Sequence, residues 1–354
     1  MGNISEKVKR DRKSKQPNAV LQTPEACGFL KEILKKLPFD EALAKVSSAM
    51  HYLRQVDEFK DLDAQILLSF LKIHTITNKS DPCYNNVSDW IFLLYKERAI
   101  EFCIAAWQKI FSKQLFLAKN ENLAKSFRLI IGILNNCTEI LPDACEQLCD
   151  SDGVKIILDS LKSTHLSVET LERDQFNVTR TYVAHTCLCI LRNVLALCPR
   201  AKYQFRDADG LETCRNFLLC NANILRCESF IILAFAVNEH ENHVVMGGDR
   251  PVHFYFMLKI LNECISMHKN ALTPTCPILY LIKAFNRLAA NDTNKKCLGN
   301  LGILELYSKV LRLWIGADEV MEAVVGVWIL AFDGKIRKKI LGCRKLIESK
   351  YRIF

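Results

Sequence analysis

Self-similarity constrains this chain more than any other feature, because a repeated unit fixes how the fold must grow. Five segments align. Ile133-Leu-Asn-Asn136 stands seventeen residues ahead of the run opening at Gly153, and Ile190-Leu-Arg-Asn193 the same seventeen ahead of Gly210. The pattern weakens at Ile231-Ile-Leu-Ala234, followed by Gly247-Gly248. It returns at Ala284-Phe-Asn-Arg287 ahead of Gly302, and its last copy is Val327-Trp-Ile-Leu-Ala-Phe-Asp333. Taking Asn136, Asn193, Ala234, Arg287 and Ile329 as equivalent gives steps of 57, 41, 53 and 42 residues, a unit near 42 with insertions in two copies. The apolar faces of such a unit cannot be buried within it and must pack on neighbouring copies. In this reading the Gly permits the sharp turn between one helix and the next.

Apolar residues recur at three- and four-residue intervals from Phe29 onward, with no series of alternating strands, so the chain reads as all-α. Helical faces run over 40–56, 62–74, 89–111, 123–135 and 183–197, while 77–88 and 163–180 read as long inter-helix loops or insertions. Residues 1–20 read as a disordered basic tail, 21–120 as diverged amino-terminal helical units, and 121–354 as the repeat array ending in a basic segment. Trp107 and Trp328 lie in apolar helical runs and read as core.

Half of the residues are apolar and a quarter charged, a balance that supports a large core. The formal net charge of +9 is concentrated at the ends: residues 1–15 hold six basic and two acidic side chains, and residues 335–354 eight basic and one acidic. The body is therefore slightly acidic, and nucleic acid is not an expected partner. The first twenty residues lack an apolar signal core, and no apolar stretch approaches the roughly 20 residues of a membrane span, so the expected location is the cytoplasm. The sixteen cysteines are scattered through apolar runs without a Cys-x-x-Cys pair, and read as reduced core thiols. His240-Glu-Asn-His243 lacks the spacing of a helical zinc motif, so no metal and no cofactor are expected. Neither a phosphate loop, a nucleophile elbow nor paired catalytic carboxylates occur; the chain is expected not to be an enzyme.

An apolar helix carrying an Asn, a polar turn with Asn and Lys or Arg, and a Gly opening the next helix together resemble the armadillo repeat family, over about residues 125–348. The resemblance implies a right-handed superhelical α-solenoid whose third helices line a concave groove. It further implies that Asn136 and Asn193 face the groove and bind a partner's peptide backbone, with Ala234, Arg287 and Ile329 departing from an unbroken asparagine ladder. Arg287 is a candidate for a carboxylate or phosphate in that groove. Leu288-Ala-Ala-Asn-Asp292 and Trp328-Ile-Leu-Ala-Phe-Asp333 resemble the armadillo segment of invertebrate proteins that join these repeats to a TIR domain. That likeness implies a regulatory or scaffold module, or a domain that senses nicotinamide nucleotides; the catalysis of a TIR domain does not carry over. The expected partners are proteins or peptides. Weak contact with an anionic membrane is a further expectation, through a lipidated Gly2 and a basic patch of Lys7, Lys9, Arg10, Arg12, Lys13 and Lys15 with Arg337, Lys338 and Lys339. Glu6 stands where the acylation pattern prefers Ser or Thr.

Overall fold

The structure is a computed structural model that describes residues 39–55, 87–112, 121–174, 177–241, 245, 251–269 and 276–351. Among these residues there are seventeen α-helices, a 3-10 turn and no strand. Helices α1 (Phe39–Gln55), α2 (Val87–Lys96) and α3 (Ala99–Ser112) precede α4 (Glu121–Ile140). The next unit holds α5 (Pro142–Asp150), α6 (Gly153–Lys162), a short inserted α7 (Val168–Arg173) and α8 (Val178–Leu197). It is followed by α9 (Ala201–Asp207), α10 (Gly210–Leu218) and α11 (Asn223–Ala236), then by the turn Glu239–Glu241 with α12 (Val252–Lys269) and α13 (Ile278–Leu288). The last complete unit is α14 (Asp292–Asn300), α15 (Ile303–Leu313) and α16 (Ala317–Leu330), after which α17 (Gly334–Tyr351) begins.

The five aligned positions fall one on each of α4, α8, α11, α13 and α16, the third helices, and these pack one upon the next in that order. Outside them α3, α6 and α10 pack in series, as do α12 and α15. The two long steps have structural causes. Helix α7 and its flanking turns lengthen the first, and α12, with 18 residues against 9 in α10 and 11 in α15, lengthens the third. A single apolar cluster runs from Met50 in α1 to Ile336 in α17, as expected of units that bury their faces against neighbours.

The polar turns of the last two units have a local function. Asn291 accepts from the Asn294 amide and so caps α14, and Asp333, 42 residues later, accepts from the Lys335 and Ile336 amides at the start of α17. Both satisfy amide donors that a helix start leaves without an intrahelical acceptor. The glycines divide their work differently from the sequence expectation. At the turn into the second helix the left-handed backbone belongs to Asp152 (φ 55°), Asp209 (φ 58°) and Gly302 (φ 90°). Gly153 and Gly210, one residue later, are needed for space: a Cβ on Gly210 would lie 2.5 Å from the Phe205 carbonyl oxygen, and one on Gly153 2.6 Å from Leu148 Cγ.

One further expectation is corrected and another is made specific. The span 89–111 is two helices, because Arg98 takes a left-handed conformation (φ 56°) and its amide bonds to the Tyr95 carbonyl, closing the first helix. The span 163–180 contains α7, capped by Ser167, and the first turn of α8, capped by Asn177. The helix expected over 62–74, most of the loop 77–88, the basic tail and Gly247-Gly248 lie outside the described residues.

Gly210→Ala is expected to destabilise the protein by about 1–3 kcal/mol through the clash with Phe205. Asp209→Gly, which relieves a left-handed non-glycine residue, is expected to leave stability unchanged or raise it by up to about 1 kcal/mol. Urea unfolding followed by circular dichroism measures both; equal effects would show that the two positions do not divide the turn in this way.

Candidate binding groove

The third helices share a surface across units. Side chains of α8, α11, α13 and α16, which span three steps of the array, line one cavity of about 430 Å³. More directly, Arg192 of α8 lays its guanidinium over the Tyr280 ring of α13 at 4.4 Å from the centroid, passing the intervening α11.

Arg192 is the centre of this face. It is buried, and its Nη1 donates to both Glu228 oxygens on α11, at 2.7 and 2.9 Å. Nε and Nη2 donate to Asn193 Oδ1, at 3.3 and 3.2 Å. Burial opposes the charge on each partner. On Arg192 burial is the largest single influence, yet Glu228 together with the neighbouring Cys189, Tyr280 and Glu139 outweighs it and holds the guanidinium above its ordinary pKa, and on Glu228 the facing Arg192 and His185 hold the carboxyl below its own. The pair is therefore ionised while almost fully enclosed, which requires the complete set of hydrogen bonds observed.

Asn193 does not face a partner. It is fully buried, and its Nδ2 donates to the Asn135 carbonyl (3.4 Å), Asn135 Oδ1 (3.5 Å) and Thr138 Oγ1 (3.3 Å), tying α8 to α4. This corrects the expectation for Asn193: a helix-to-helix amide, satisfied on both sides, has no free group for a peptide backbone. Asn136 is half-buried on α4, one residue beyond the Asn135 that bonds Asn193. Arg287 is exposed at the carboxyl end of α13 and stacks over Phe235 at 4.5 Å. Its inner neighbour Asn286 is the buried amide of that helix, donating to the Glu322 carbonyl (2.8 Å) and accepting from Tyr307 Oη (2.7 Å).

Arg287 also lines a second cavity of about 430 Å³ with Lys202, Arg206, Tyr203 and Phe235. Lys202 donates to Asn238 Oδ1 (2.8 Å), and Arg206 grips Glu241 with two bonds, at 2.8 and 2.5 Å. Burial lowers the Lys202 pKa, with Arg206 and Arg287 adding to the effect. Glu241 is pulled down to about 2, chiefly by the Arg206 hydrogen bond.

Of the other sequence candidates, Arg337, Lys338 and Lys339 are exposed on α17, while Gly2, Lys7, Lys9, Arg10, Arg12, Lys13 and Lys15 lie outside the described residues. His240 is exposed on the 3-10 turn, and His243 lies outside the described residues. Trp107 is buried and its Nε1 donates to Ser160 Oγ (3.0 Å). Trp328 is 63% exposed, stacked edge-on against Phe332, which corrects the core expectation. It lies on the outer face of the last third helix in the series, where Met321 and Val324 are exposed too.

His185, Cys189, Glu228 and Tyr280 were not singled out in the sequence. The signal for Glu228 was a lone acid inside the apolar run Leu225–Ala236; that for His185, Cys189 and Arg192 was their spacing by four and three residues on one face of α8.

No protein-family model matches the chain, and no curated protein matches it. Among solved structures it is similar to a designed armadillo repeat protein, at 12% identity and TM-score 0.50, over 80% of this chain and 99% of that one. An engineered protein of 15% identity and TM-score 0.50 matches over 81% of this chain and 99% of its own. A second engineered protein, of 14% identity and TM-score 0.50, matches over 86% of this chain and 64% of its own.

Arg192→Met is expected to destabilise the protein by about 3–5 kcal/mol by stranding Glu228, whereas Arg192→Met with Glu228→Met recovers most of that loss in urea unfolding. The depressed Glu241 carboxyl contributes stability that is complete above its unfolded pKa of about 4.5 and is lost as the pH falls toward 2. Glu241→Gln is therefore expected to flatten the acid limb of a stability profile between those values and to lower stability at pH 7. Parallel acid limbs for variant and wild type would refute the assignment. At these identities the likeness concerns the fold, and it agrees with the helix order: the chain is a right-handed superhelical armadillo-like α-solenoid.

Proposed function

We propose that the protein is a non-enzymatic scaffold that takes a protein or peptide partner on its third-helix face. The observation that carries this reading is the joint lining of one cavity by α8, α11, α13 and α16, with Tyr182 exposed on α8 and Arg287 exposed at the carboxyl end of α13, where it lines the second cavity. Asn193 and Asn286 are engaged between helices, so recognition falls to these exposed groups rather than to an asparagine ladder. Arg287, braced on Phe235 and beside Lys202, suits an acidic group of the partner. The likeness of the last two units to armadillo segments of TIR-containing proteins supports a regulatory role in intracellular signalling of the innate-immune type.

A second reading is favoured by the cavity of Lys202, Arg206, Arg287 and Phe235, whose cations and aromatic ring suit a phosphorylated ligand such as a nicotinamide nucleotide. Peripheral membrane attachment would draw on Arg337, Lys338 and Lys339, and no helix among the described residues is long and apolar enough to cross a membrane.

Tyr182→Ala with Arg287→Ala is expected to abolish recovery of partner proteins from native cells while helicity stays that of the wild type. Full recovery by that variant would refute the scaffold reading. A thermal shift with nucleotide that disappears in Lys202→Ala would favour the second.

A further inference from the structure

The third-helix face holds a group of side chains whose chemistry no peptide-binding role uses. His185 and Cys189 lie one turn apart on α8, with His185 Nε2 3.4 Å from Cys189 Sγ. Glu228 of α11 brings Oε1 to 3.8 Å from the same imidazole nitrogen, and one ligand atom from each of the three residues lies within 4.8 Å of the other two. A tetrahedral zinc ion with bonds of about 2.0–2.3 Å holds its ligand atoms about 3.4–3.6 Å apart. Both distances from His185 Nε2 stand close to that spacing before any metal enters, and Cys189 and Glu228 need close by no more than about 1.4 Å from the 4.8 Å bound. Imidazole, thiolate and carboxylate are a donor set suited to zinc, and two donors four residues apart on one helix face share a direction.

We propose that His185 Nε2, Cys189 Sγ and Glu228 Oε1 form a zinc-binding site in the groove, with the fourth position open to the cavity that His268 and Cys276 also line. Binding replaces the Cys189 S–H bond by a metal–sulfur bond, and the thiol proton passes to solvent. The site is already braced in the manner of outer-shell partners. Arg192 donates to both oxygens of Glu228, fixing the carboxylate while leaving Oε1 a second lone pair.

Charge is the objection the site must meet, since Arg192 Nη1 is 3.9 Å from Cys189 Sγ. With the metal bound, the ion and Arg192 carry three positive charges. Glu228 and the Cys189 thiolate supply two negative ones, and Glu139, whose charge reaches both Cys189 and Arg192, supplies the third. The cluster is then neutral as a whole. Without metal the buried thiol stays protonated, because burial and the Glu228 charge both raise its pKa well above the ordinary value. Affinity therefore rises with pH, as proton release requires.

The test is titration of the reduced full chain with cobalt(II), whose thiolate charge-transfer band and tetrahedral ligand-field bands report sulfur ligation directly, followed by displacement with zinc. The expected result is one equivalent bound with both sets of bands. Cys189→Ser removes the charge-transfer band, and His185→Ala weakens binding by more than the roughly 10–100-fold typical of an outer-shell change. Cys297→Ser, a half-buried cysteine outside the cluster, leaves the spectrum intact. His185 is only half-buried, so its variant tests ligation without disturbing the core. An unchanged cobalt spectrum in Cys189→Ser, unchanged affinity in His185→Ala, or no stoichiometric binding by the wild type overturns the proposal. None of these outcomes bears on partner capture by Tyr182 and Arg287.

Discussion

Two opposite charges enclosed between α8 and α11 set the terms for the middle of this structure. Taking a guanidinium and a carboxylate out of water costs several kcal/mol for each ion, and their attraction offsets that only when the remaining hydrogen-bonding groups are satisfied. Arg192 meets the condition through Glu228, Asn193 and the face of Tyr280, and Asn193 extends the connection to α4 through Asn135 and Thr138. Four successive third helices are thus joined by one polar chain running through an otherwise apolar stack. Apolar packing alone tolerates a helix sliding or rotating by a fraction of a turn; a buried network of this kind does not.

The turn between first and second helices solves a different problem with few residues. One position needs a left-handed backbone and the next needs the absence of a side chain. Asp209-Gly210 and Asp152-Gly153 assign these needs to separate residues, while Leu301-Gly302-Ile303 places the glycine at the left-handed position and lets Ile303 begin the helix. Cβ-free contact at Gly210 brings α10 against Phe205 and so fixes how closely α9 and α10 approach.

The architecture was legible because stacking requires every copy to repeat the same apolar face. The equivalence of Asn136, Asn193, Ala234, Arg287 and Ile329 therefore landed on five consecutive third helices, even across insertions. The site was far less legible. Periodicity says that Asn193 lies on a helix but not which way it points, and the partners that decide this, Asn135 and Thr138, are 58 and 55 residues away. Arg192 and Glu228 are 36 residues apart, and only the distance between α8 and α11 reveals them as a pair. Trp328 misled for a related reason. Its helix has the composition of an inner helix, yet it is the last third helix of the described series, and the face that other units would cover is open. The break at Arg98 was invisible because the apolar pattern continues through it while the backbone does not.

An array whose units touched only their immediate neighbours would flex evenly along its length, each joint yielding a little, like a spring. The Arg192 contact with Tyr280 reaches past one unit and removes that freedom locally. Widening the groove there means lifting a cation off a ring and loosening its hold on a buried carboxylate, so the middle behaves as a closed clasp. Elastic accommodation of a bulky occupant is then left to the two flanks: the units before α4 and those after α13.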